Sequence, residues 1–218
     1  MKKLNYLKKL SKNLNKHKIY INKPFDLKKD ILIIAANTNL NNSVGCKIGT
    51  HCLNNLKKTY KFNYRIINLN DFQIPFYKLG MKHHPEFTKL IKILNKYSNY
   101  LFIFPNWLSN MPAVLKNFFD WSTFWGMKKG DDGKLKSILH NKKAAIITTC
   151  SDKKKEYIYK YRTSIDYQIG ESTFKLLKIE YKGALIIPDA HKINKAKFFY
   201  YSKKVKSIIK NMLVNSSK

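Results

Sequence analysis

Short apolar runs of strand length alternate with segments of helical period along most of this chain. Ile31 to Ala36 is apolar without a break, as a strand buried on both faces must be. The polar text Asn37 to Asn42 follows, and Ser43 is a good N-cap for a helix that turns Val44, Ile48, Cys52 and Leu56 to a core. Tyr64 to Leu69 reads as a second strand. Pro85 to Tyr97 reads as a helix with Phe87, Leu90, Ile91 and Leu94 on one face. Tyr100 to Phe104 is a third strand, closed by Pro105, which has no N–H for a ladder bond. An irregular loop, Asn106 to Met111, leads to Pro112, which suits a first helical turn, and Val114, Leu115, Phe118 and Phe119 give the next helix its apolar face. Gly126 to Gly133 is a polar turn region. Lys143 to Thr149 is a fourth strand, Ser164 to Lys178 a helix through Ile165, Ile169, Leu176 and Leu177, and Gly183 to Ile187 a short last strand stopped by Pro188. Phe198 to Leu213 closes the chain as a helix carrying Val205, Ile208, Ile209 and Met212. Strand and helix alternate throughout, which predicts an α/β domain: a five-stranded parallel sheet, order 2-1-3-4-5, with helices on both faces.

That order places a crevice between the first and third strands, at the ends marked by Ala36 and Phe104. The first loop joins a strand to a capped helix, an arrangement that suits phosphate, because the first N–H groups of a helix lack partners and its dipole favours an anion. Asn37, Thr38, Asn39 and Ser43 are small polar side chains that can donate there without crowding. Thr148, Thr149, Cys150 and Ser151 fall at the end of the fourth strand, and Lys153 to Lys155 beyond them are read as a solvated charge run, with a ligand's phosphates as the sharper alternative.

The text from Pro105 to Trp121, PNWLSNMPAVLKNFFDW, resembles the flavin-contacting loop and helix of the NADPH-dependent FMN reductases, with matches at Pro105, Pro112, Leu115, Lys116, Asn117, Asp120 and Trp121. Met111, Pro112 and Ala113 are closer to the related quinone reductases of flavodoxin-like fold. Leu69 to Tyr77, LNDFQIPFY, is similar to the family's segment after the second strand, which lies near the flavin and helps form its dimer contact. The resemblance covers about Ile31 to His191. It implies a flavodoxin-like fold and bound FMN, with FAD as the alternative. The phosphate would lie on Asn37, Thr38, Asn39, Ser43 and Val44. The ring would lie against Pro105, Asn106, Trp107 and Leu108, with Trp107 where the family has Tyr, and Thr149 and Ser151 would close the other side. NAD(P)H would supply hydride, and a quinone, an azo compound or a free flavin would accept it. The flavin carries such chemistry, so no catalytic side chain is implied. Lys116 and Asp120 stand four apart on one helix and are expected to pair with each other. A homodimer or tetramer is implied. The first loop departs from the family's G-S-x-R-x-x-S: Ala36 stands for Gly, Asn37 for Ser, and Asn39 or Leu40 for Arg. The third loop lacks the family's Gly.

The net charge of +30 points toward nucleic acid or an anionic membrane, yet only Arg65 and Arg162 are arginines, so lysine supplies 41 of the 43 basic residues. Base readout and phosphate clamps favour Arg, so no specific nucleic-acid partner is expected, and the lysine-rich, asparagine-rich composition reads as codon bias. Residues 1–30 form a basic extension with Leu4, Leu7, Leu10 and Leu14 near helical spacing, set before a flavin-binding domain at 31–218. It is read as solvated, with a membrane-surface helix or organelle targeting as alternatives. Cys46, Cys52 and Cys150 form no CxxC pair, and neither a secretory signal nor a spanning segment is visible, so a reducing, cytoplasmic setting and no metal are expected. His83 and His84 are expected as exposed loop residues rather than ligands. The rival reading is a flavodoxin-like domain that has lost its cofactor and binds RNA or membrane through its basic surface.

Overall fold

Isoleucine and aromatic runs build the sheet, because β-branched and ring side chains pack well on a pleated surface. The computed structural model describes residues 29–81, 83–129, 133, 135–151, 153 and 164–213. The basic extension at 1–30 therefore lies outside the described residues except for its last two, and so do Lys154 and Lys155. Strand β1 (Ile31–Ala35) is flanked in parallel by β2 (Tyr64–Asn68) and β3 (Asn99–Pro105), pairing Ile33 with Ile66 and with Leu101. β3 pairs in parallel with β6 (Lys142–Thr149), and β6 with β7 (Ile179–Ile187). The order β2-β1-β3-β6-β7 is 2-1-3-4-5 over the five sheet strands, the flavodoxin-like arrangement expected.

Helices cover both faces. On one, α1 (Val44–Tyr60) and α4 (Lys195–Leu213) lie over a largely aliphatic layer that includes Ile33, Leu101, Ile103, Ile147 and Val205. On the other, α2 (Pro85–Leu94) and α3 (Ala113–Asp120) lie over rings: Phe87, Phe102, Phe118, Phe119, Trp121 and Phe174. Alternation along β3 feeds both layers, with Leu101 and Ile103 on the first and Phe102 and Phe104 on the second. Among the described residues no helix is long and apolar enough to cross a membrane.

The differences from the sequence reading have local causes. The last strand begins at Ile179 rather than Gly183. A bulge absorbs Gly183 at φ 106°, shifting the register between Ala144 and Ile146, so a glycine inside the strand does not end it. The turn region after Gly126 contains a short antiparallel ladder, β4 (Met127–Lys129) with β5 (Leu135–Ser137). α3 does not stop at Asp120: it widens into a π-helical turn over Trp121–Trp125, with Gly126 N–H donating to Trp121 O at 3.1 Å. The helix expected over Ser164 to Lys178 is π-helical over Asp166–Phe174, and this changes which side chains face inward. Ile165, Ile169 and Leu177 are buried, but Leu176 is exposed. His84 is half-buried with its Nδ1 enclosed, not exposed; His83 is exposed.

Candidate functional site

The loop after β1 is shaped by short polar side chains bonding its own backbone. Asn39 Oδ1 accepts the Asn42 N–H at 3.2 Å and caps a 3₁₀ turn over Leu40–Asn42. Asn37 Oδ1 accepts the Asn39 N–H at 3.0 Å. Ser43 then caps α1 as expected, its Oγ accepting the Cys46 N–H at 3.2 Å. The oxygens of Asn37, Asn39 and Ser43 are thus acceptors for the loop itself. Their donor groups are not used in these bonds: the Thr38 hydroxyl and Asn39 amide are on exposed residues, the Asn37 amide on a half-buried one and the Ser43 hydroxyl on a buried one. Among the described residues, the N–H groups of Val44 and Gly45 at the start of α1 have no partner. No charged side chain lies between Asn37 and Cys46. Lys47 follows one turn into α1, where burial makes its ammonium easier to deprotonate. Burial likewise pushes the Cys46 thiol up to about 11, so at neutral pH it is an inert, protonated group.

The loop after β3 is not irregular. Trp107 and Asn110 exchange backbone hydrogen bonds at 3.0 and 2.9 Å, closing a two-residue turn at Leu108 and Ser109. Both central residues have positive φ, 48° and 66°, the pattern of a type I′ turn, but neither is Gly or Asn. A left-handed non-glycine residue costs about 1–2 kcal/mol. The turn holds Trp107 half-exposed and Leu108 fully exposed. Asn106, just before it, is buried, and its Oδ1 has no partner among the described residues. A buried acceptor of that kind is stable only when something donates to it.

The third loop closes against the second. The Asn106 N–H donates to Thr149 O at 2.7 Å, and Pro105 pairs with Thr149 across the sheet. Thr149 is half-buried and Ser151 exposed. The Ala36 N–H donates to Ile103 O at 3.0 Å, so the loops after β1, β3 and β6 leave the same edge side by side. Two glycines let α1 approach that edge. A Cβ on Gly45 would lie 2.9 Å from Ile103 Cγ2 and 3.5 Å from Thr149 Cγ2, and one on Gly49 would lie 2.8 Å from Ile103 Cδ1. The unpartnered donors of α1 therefore stand directly over the ends of β3 and β6. All eleven residues singled out in the sequence lie on these three loops, at the strand ends Pro105 and Thr149 that lead into them, or at the start of α1.

Other residues that position the site have no local signature. Asn68, at the end of β2, accepts the Asn37 N–H at 3.3 Å and donates to Asn37 O at 2.9 Å, fastening the first loop from the neighbouring strand. Asn117 takes the Tyr77 N–H at 2.9 Å and donates to Pro75 O at 3.1 Å, and Trp121 Nε1 donates to the same carbonyl at 2.8 Å. These two motif residues tie the segment around Pro75 to α3. Lys116 and Asp120 pair with each other, as their spacing suggests.

This edge is the switch point of the fold, and the sequence that builds it has relatives. The family model for NADPH-dependent FMN reductases matches residues 30–164, most of the chain. The chain belongs to that family. It is accordingly an NAD(P)H-dependent oxidoreductase of the FMN reductase and quinone reductase type. Solved structures agree on the fold. An NAD(P)H:quinone oxidoreductase from Methanothermobacter marburgensis is 12% identical with a TM-score of 0.68, over 85% of this chain and 99% of that one. An FMN-dependent NADH-azoreductase from Bacillus anthracis, in complex with FMN, is 16% identical with a TM-score of 0.62, over 85% of this chain and 100% of that one. An NADPH-quinone reductase from P. pentosaceus is 13% identical with a TM-score of 0.58, over 86% and 99%. No curated protein sequence matches the chain.

Proposed function

We propose that this FMN reductase-family protein binds FMN in the crevice between β1 and β3 and passes hydride from NAD(P)H to a quinone, an azo compound or a free flavin. One observation carries the reading: a polar loop with unpartnered helix donors and a loop presenting Trp107 and Leu108 converge at one sheet edge. The residues fit the group. The N–H groups of Val44 and Gly45, with the hydroxyls of Thr38 and Ser43 and the amides of Asn37 and Asn39, would hold the phosphate by dipoles, since no charged side chain lies between Asn37 and Cys46. Pro105, Trp107 and Leu108 would cover one side of the ring and exclude water from it. The buried Asn106 Oδ1 would take a donor from its polar edge. Thr149 and Ser151 would close the far side. Bound FMN would supply the hydride-transfer chemistry between nicotinamide and acceptor. The chain's own residues bind and orient, and none is needed as acid or base.

A missing arginine removes a charge-assisted bond worth about 1.5–3 kcal/mol, so FMN binding should be weaker than an arginine-bearing loop would give. The same feature favours the second reading, a domain without a working cofactor site. The visible spectrum of purified protein, followed by anaerobic NADPH, separates the two. Flavin bands that bleach support the oxidoreductase; a colourless protein that takes up neither FMN nor FAD would falsify it. Identification of the released flavin decides between FMN and FAD.

A homodimer or tetramer is part of the proposal. Phe76, Leu79 and Phe124 are 70%, 91% and 59% exposed, and Tyr77 stacks on Phe124 at 5.4 Å, an apolar surface that a second copy could cover. Light scattering on the eluting protein gives the mass directly, and a monomer at micromolar concentration would contradict it.

A further inference from the structure

Lysine bias explains why this chain is basic; it does not explain where the carboxylates are missing. The helical layer made by α1 and α4 carries three lysines on α1 and six on α4, and neither helix contains Asp or Glu. Each helical segment named on the opposite layer has a carboxylate: Glu86 on α2, Asp120 on α3 and Glu171 on the π-helical segment. There the charges are partly neutralised, by the pairs Lys89–Glu86 at 3.5 Å and Lys116–Asp120. The two faces of the sheet therefore present different fields to a partner.

α4 carries the larger share. Phe198, Val205, Ile209 and Met212 face the core, while Lys195, Lys197, Lys203, Lys204 and Lys210 are exposed and Lys206 half-exposed. Between them stand Phe199 and Tyr200, 42% and 50% exposed. Phe199 is already edge-on to His51 of α1 at 6.2 Å, and Lys204 Nζ lies over the Tyr200 ring, 4.9 Å from its centre. The ring face that a nucleic-acid base would stack on is thus capped by an ammonium, and no arginine is present on either helix. Half-exposed rings among lysines are the side chains that settle at the headgroup level of a bilayer. Lysine serves as well as arginine in the diffuse attraction of an anionic leaflet.

We infer that the α1–α4 layer is a docking surface for an anionic lipid bilayer, with α4 lying along it and Phe199 and Tyr200 reaching the headgroups. The contact is made by charge, and among the described residues no helix is long and apolar enough to cross the bilayer. The contact lies on the far side of the sheet from the Phe76–Phe124 surface and does not depend on the flavin assignment.

Co-sedimentation of the full chain with vesicles tests it. Vesicles of phosphatidylcholine with roughly a third phosphatidylserine should carry the protein down, and phosphatidylcholine alone should not. Raising salt from about 0.1 M to about 0.5 M should release it. Lys197→Glu, Lys203→Glu and Lys210→Glu combined should lower partition by at least about tenfold. Lys92→Glu, Lys96→Glu and Lys175→Glu make the same charge change on the opposite layer and should cost less than about threefold. The milder Lys→Gln set on α4 covers the case of a misfolded triple variant, and should give an intermediate loss. Equal losses from both triple variants would show a net-charge effect and overturn the surface. So would no loss from either, which would point to the lysine-rich first thirty residues. Capture by polyuridine RNA, lost in the α4 variant, without vesicle binding would replace the bilayer with RNA.

Discussion

The loops after β1 and β3 meet at one edge but are built in opposite ways. The first spends small polar side chains on its own backbone, contains no positive-φ residue and no charge, and is fastened by Asn68 from the next strand. The second holds itself, by two backbone bonds around Leu108 and Ser109, and accepts a left-handed conformation at both. Its large apolar side chains point to solvent. The difference is what the two ends of the proposed ligand would require. An anionic end needs ordered donors, which local hydrogen bonding arranges at little strain. A flat apolar end needs side chains held away from the core, and here that requires a backbone that side chains of this size do not favour.

The largest effect should come from separating the two loops. Gly49→Leu would drive a side chain into Ile103 and lift α1 from β3. Overpacking of this kind costs about 1–3 kcal/mol. Urea unfolding should show a loss near the top of that range, and FMN binding should fall with it. Asn68→Ala tests the first loop alone. It leaves the Asn37 N–H and C=O without their side-chain partner, a loss of about 1–3 kcal/mol, and should weaken FMN binding through the loop it fastens. Unchanged FMN affinity would mean the loop does not hold the phosphate. Leu108→Gly tests the second loop and has the opposite sign. It relieves a left-handed residue and should raise stability by up to about 1 kcal/mol, net of the glycine's own entropy. A drop in melting temperature would mean the Leu108 side chain contributes contacts that outweigh the strain. The smallest effect is at Cys46, whose thiol is pushed up to about 11 by burial beneath the first loop. A thiol-directed label at pH 8 should react far more slowly than with a free cysteine. Its rate should keep climbing past pH 9, where a free thiol near 8.5 has levelled off. Fast labelling at pH 8 would show that the first turn of α1 opens readily.

Much of this site could be read from neighbouring residues. An unbroken apolar run, a polar loop and Ser43 as cap are local features, and Ile31–Ala35, the cap and α1 follow from them. Pro105 and Pro112 likewise bracket the second loop because proline's restrictions act on its own residue. What could not be read depends on distant partners. Nothing around Asn68 says that it will bond Asn37, 31 residues away, or that Asn117 will hold a segment 40 residues back. Leu108 and Ser109 have no turn signature, since Gly and Asn are the residues that adopt positive φ cheaply. The bulge at Gly183 is set by pairing with β6, so a local reading placed the strand's start there.

FMN titration of the purified apoprotein, followed by flavin fluorescence and absorbance, tests the central claim most directly. The account predicts saturable binding at one FMN per chain, lost in Gly49→Leu and weakened in Asn68→Ala. Wild-type protein that is folded, yet leaves the spectrum and fluorescence of added FMN unchanged, would contradict it.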